Sequence, residues 1–175
     1  MRRFKMAALG VAVVIGLTAC GTKTDSGVSS DVTSSQVEAA GGDEASKEAK
    51  ALKDVYSEIT SAVSLVSPME PTEDFIYNYY GIDTNALEEY IFEMSEEATS
   101  AEAVIVIKCQ DADMRSSIVE SLDILREDKM MELENYLPDQ YTIVSDSEVV
   151  ESGDYVYLVI SENAQDILSI IKKYV

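Results

Sequence analysis

The chain has 175 residues, with 33 acidic against 13 basic side chains, no histidine and a formal net charge of −20. A surface of that sign repels phosphate backbones and anionic lipid, which argues against a nucleic-acid partner. The missing imidazole excludes Ser–His, Cys–His and His-containing zinc chemistry.

Met1-Arg2-Arg3-Phe4-Lys5 is basic, and the stretch MAALGVAVVIGLT that follows is apolar and uncharged. These are the n-region and h-region of a secretory signal. The apolar run falls short of the roughly 20 residues that cross a bilayer, so cleavage is expected rather than retention. Leu17-Thr18-Ala19-Cys20 resembles the bacterial lipobox, in which Leu and two small residues precede a cysteine. The resemblance implies that residues 1–19 are removed between Ala19 and Cys20, and that the Cys20 thiol carries a diacylglyceryl group. At about 0.8 kcal/mol per buried methylene, two acyl chains suffice to hold a protein on the outer face of the cell membrane without a spanning segment. Cys109 is then the remaining thiol, and no internal disulfide is expected.

Residues 20–46 are dominated by Ser, Thr, Gly, Asp and Glu and lack hydrophobic periodicity, the composition of a disordered polar tether. A single domain is expected over 47–175. Its first segment places Leu52, Val55, Ile59, Val63 and Val66 on one helix face, with Pro68 and Pro71 ending it. Thr72 and Gly81 read as the N-cap and C-terminal stop of a short second helix. Glu88–Met94 and Ala103–Cys109 read as strands, the latter β-branched and suited to a buried central position. Asp111 to about Tyr136 is a long amphipathic helix with Met114, Ile118, Leu122, Leu125 and Leu133 on one face, stopped by Pro138. A hairpin follows, Glu148–Glu151 and Tyr155–Ser161 around Ser152-Gly153-Asp154. In it Tyr155, Tyr157 and Val159 share one face, and Val156, Leu158 and Ile160 the other. A last helix from about Asn163 buries Ile167, Leu168, Ile171 and Tyr174. The pattern is an α+β domain in which N-terminal helices precede β-β-α-β-β-α, with a mostly antiparallel four-stranded sheet and helices on one face.

A lipobox, a polar tether, YYGID, Met94-Ser95, TSAEAVIVIK, a long helix containing Arg126 and leading into Tyr136-Leu137-Pro138-Asp139-Gln140, and GDYVYLVIS occur in this order. Together they resemble the Gram-positive surface lipoproteins of the domain of unknown function 4358 family, over roughly Lys47 to Val175. The resemblance implies an extracytoplasmic lipoprotein and brings no catalytic or binding residue with it. Where that family has a glutamine shortly after the helix arginine, this chain reads Glu127-Asp128-Lys129.

Cys109 ends an apolar strand without a candidate base and reads as a small core residue. Asp111-Ala112-Asp113 and Asp139 to Asp146 lack the glycine and terminal glutamate of a calcium loop, and no metal or cofactor is expected. Tyrosine supplies broad amphipathic contact area, so Tyr79, Tyr80 and Tyr90 form a candidate binding surface beside their alternative role in packing. The expected function is a non-enzymatic binding or accessory domain for an envelope protein or small extracellular ligand. The alternative is a carboxylate-dependent envelope enzyme acting on wall glycan or peptide, which requires convergent, unpaired acids in a cleft.

Overall fold

The computed structural model describes residues 50–175. The signal, Ala19 and Cys20, the tether and the expected domain start at residue 47 lie outside the described residues. Five helices and five strands follow in the order α1 (Leu52–Ala62), β1 (Pro68–Met69), α2 (Glu73–Tyr80), β2 (Glu89–Ser95), β3 (Ala103–Lys108), α3 (Ala112–Leu133), α4 (Pro138–Ser145), β4 (Val149–Ser152), β5 (Tyr155–Ile160) and α5 (Ala164–Ile171). A short 3-10 turn, Thr84–Ala86, separates α2 from β2.

The strands make one sheet in the order β1-β2-β3-β5-β4, with every neighbouring pair antiparallel. The α+β class and the antiparallel sheet are those expected from the sequence; the strand count and the placing of the helices differ. The sheet has five strands rather than four because β1 pairs Pro68 with Ser95 and Met69 with Met94. Two residues carry no periodicity, and a proline reads as a stop although an edge strand accepts it.

The helices cover both faces of the sheet rather than one. Ile105 and Ile107 of β3 and Val156 and Leu158 of β5 pack against Ile76 of α2, Ile118, Leu122 and Leu125 of α3, and Val144 of α4. Val104, Val106, Tyr157 and Val159 point the other way, onto Leu52, Val55 and Ile59 of α1 and Ile167, Ile170 and Ile171 of α5. Strands apolar on both sides require cover on both sides, so the alternation in AVIVIK and YVYLVI dictates three layers.

Local chemistry sets the ends of the elements. The Thr72 hydroxyl accepts the Phe75 N–H at 3.3 Å at the start of α2, and Gly81 closes that helix at φ 70°. That left-handed conformation favours glycine. Asp111 Oδ1 accepts the Met114 N–H at 2.8 Å and starts α3. Helix α1 stops at Ala62, well before Pro68, as Val63 turns extended. Val63 stays buried, whereas Val66 is 40% exposed and has left the apolar face assigned to it. Pro138 does more than stop α3: it is the first residue of α4, where its missing N–H costs nothing. Arg126 Nη2 donates to the Ser145 carbonyl at 2.8 Å and clamps α4 to α3.

Candidate functional site

On the second face of the sheet, α1 packs over β2 and α5 over β5, while on the first face α3 reaches as far as the edge strand β4. Beside α5, above β4, the second face holds a groove of about 440 Å³. This is the size of a small-ligand site. Val150 and Val159 form its floor, Leu168 and Gln165 of α5 one wall, and Ile143 of α4 an end.

Charged groups occupy its two ends. The pairing of Val149 with Leu158 sets the loop before β4 alongside the end of β5. Asp146 and Glu148 of that loop therefore line the same end of the groove as Glu162, which follows β5. Lys172 caps the opposite end of α5, whose eight residues extend about 12 Å. All four line the groove, and none of them forms an ion pair among the described residues.

The acidic end abuts a smaller cavity of about 50 Å³ that shares Ile143, Ser161 and Glu162 with the groove. A buried hydrogen-bonded knot builds its wall. Glu102, 8% exposed, accepts the Val66 N–H with Oε2 and the Ser161 hydroxyl with Oε1 at 2.5 Å. Ser161 Oγ in turn accepts the Asn163 N–H at 3.1 Å, and Gln140 Oε1 accepts the Ala101 N–H at 2.8 Å. No basic side chain pairs with Glu102 among the described residues; hydrogen-bond donors alone compensate its burial. TSAEAVIVIK, YLPDQ and GDYVYLVIS, far apart in sequence, each contribute a residue to this knot.

The tyrosines lie elsewhere. Tyr79 is 70% exposed and stacks on Phe75 with ring centroids 4.3 Å apart. Tyr80 turns inward, stacks on Phe92 at 5.7 Å and sets its hydroxyl 3.6 Å from Met94 Sδ. Tyr90 packs with Tyr80 against the first core, and burial raises the phenol pKa of both. The hollow beside α2, about 270 Å³, is lined by Tyr77 together with Glu73, Asp74 and Asp83, not by these three.

Other candidates resolve into structure. Cys109 is buried in the first core, and its burial pushes the thiol pKa up, away from nucleophilic use. Burial, then the nearby Glu70, raises the Glu93 carboxyl, and Tyr56 beside it is pushed up to about 12 by burial and by the Glu93 charge. The hollow that Glu93 and Glu102 both line is only about 10 Å³. A single water needs that much, so this acid pair has no room for a substrate. Among the described residues, no group of three or more Asp, Glu or Cys side chains is placed to hold a metal ion.

The sequence reading missed the groove. The sequence places Leu168 on the buried side of the last helix and Val159 on a strand face; both pack against the second core, and both also meet the groove, because α5 does not extend over β4. The available signal was Val150 beside Glu151 in a short strand near the chain's end: an apolar residue with no helix assigned to cover it.

Fold and groove together define a three-layer α+β domain with an open, bipolar groove at one sheet edge. The chain belongs to the family described as domain of unknown function (DUF4358), whose model matches residues 61–161. No curated protein and no solved structure matches it. Among the described residues no helix is long and apolar enough to cross a membrane.

Proposed function

We propose that this is an extracytoplasmic Gram-positive lipoprotein, held to the membrane through Cys20, whose domain is a binding module that uses the groove between β4 and α5. The groove itself carries the reading: an apolar floor flanked by charges that have no partners among the described residues. The buried polar groups of the knot beneath are hydrogen-bonded to one another, whereas Asp146, Glu148, Glu162 and Lys172 in the groove form no ion pair among the described residues. The tether composition and the lipobox resemblance support presentation of this groove outside the membrane. Packing of the partly buried Tyr80 and Tyr90 against core residues favours the groove over the tyrosine surface as the binding face.

Cross-linking of the intact lipoprotein in its host, followed by mass spectrometry, tests the proposal. The epitope tag belongs in the Ser/Thr-rich segment, because Val175 is itself buried. A specific molecule captured by the native chain and lost from Gln165→Trp, which fills the groove from an exposed helix position, supports the reading. Equal capture by both chains contradicts it. Turnover of wall glycan or peptide by the purified chain would replace it with the carboxylate-enzyme alternative.

A further inference from the structure

Resting on the groove as the binding site, we propose that its ligand is a short extended peptide with both termini free, the ammonium at the Asp146, Glu148 and Glu162 end and the carboxylate at Lys172. The two poles flank α5, whose eight residues extend about 12 Å. An extended chain advances about 3.3 Å per residue, so roughly four residues span that distance. Between the poles the floor is Val150 and Val159, with Leu168 beside them, and receives small apolar side chains. The alternative occupants fit poorly. A second copy of this chain brings a net charge of −20 against the same sign, and residues 20–46 of the chain itself carry more acidic than basic side chains. An anionic headgroup satisfies Lys172 and meets three carboxylates at the other end.

The test uses the full chain in an uncharged detergent, labelled with ¹⁵N, and the tetrapeptide Ala-Val-Val-Ala in four forms: free, N-acetylated, C-amidated and doubly capped. The free peptide is expected to shift the amides of Val150, Val159 and Leu168 saturably. Each pole is exposed to water, so capping either terminus is expected to weaken binding about three- to tenfold. Lys172→Gln should weaken the free peptide by the same factor while leaving the C-amidated form unchanged. Glu148→Gln with Glu162→Gln should do likewise for the free and N-acetylated forms. Equal binding of all four forms, shifts confined to residues outside the groove, or no shift at millimolar peptide overturns the proposal. If Gln165→Trp still abolishes capture in the cells, such a failure removes only the peptide assignment; if it does not, the groove reading falls as well.

Discussion

Glu102 is the residue on which the groove's inner end depends. Its two oxygens accept from Val66, in the segment after α1, and from Ser161, at the end of β5, and so join chain segments on either side of β3. Glu102→Ala takes the acceptor from the part-buried Val66 N–H and from the buried Ser161 hydroxyl and is expected to cost about 2 kcal/mol in urea unfolding. Glu102→Gln retains an acceptor and should cost less. Two other carboxylates give opposite pH signatures. Glu58 receives Lys50 at 2.8 Å, Tyr174 at 2.8 Å and Lys173 at 3.1 Å, which lower its pKa from 4.5 to about 2. A folded value below the unfolded one gives stability that is present above about pH 4.5 and lost as the pH falls toward 2. Glu58→Gln is therefore expected to flatten the acid limb of stability against pH. The Glu93 pKa is raised, by burial and then by Glu70, so its contribution is present at low pH and lost as the pH rises through its folded value. Glu93→Gln should raise the urea midpoint at pH 7 and leave it nearly unchanged at pH 4.

At the scale of elements, the caps are the sharpest local determinants. Asp111→Ala removes a 2.8 Å acceptor from the start of α3 and is expected to destabilise by about 1 kcal/mol; Thr72→Ala, at 3.3 Å, should cost less. A Cβ at Gly81 meets nothing within 4 Å, so Gly81→Ala reads out backbone conformation alone, about 1 kcal/mol. The caps at Thr72 and Gly81 were legible because Thr and Gly stand at the ends of a short apolar period, whereas Asp111 reads as the first residue of the long helix and proves to be its cap. The two faces of β5 were legible because successive side chains of a strand point to opposite sides, which leaves one partition of YVYLVI. Helix α4 was not, since a proline that ends one helix and begins the next gives a single signal, and its eight residues are too few for a periodicity to stand out. Nor was β1, which is held by its partner β2 rather than by its own sequence. The cover on both faces was implicit in AVIVIK, where consecutive apolar residues point to opposite sides, yet the number of helices on each face is decided by packing.

For the whole molecule, the proposal combines a lipid anchor at Cys20 with a domain whose helices leave a groove at one sheet edge. Cys20→Ala should move the protein from the membrane to the soluble fraction on cell fractionation, and retention in the membrane contradicts the anchor. Beyond the uncovered Val150, little of the groove is legible in the sequence, because it is a missing contact, created where α5 ends its cover of the sheet; the charges at its ends are far apart in the chain and look like ordinary surface residues. The most direct measurement places a photo-cross-linking amino acid at Gln165 in the groove and, in a second chain, at Tyr79 on the aromatic face of α2, and irradiates living cells. The binding-module account expects a discrete adduct from position 165 and none from position 79. An adduct from position 79 alone would move the function to the tyrosine surface and contradict the account.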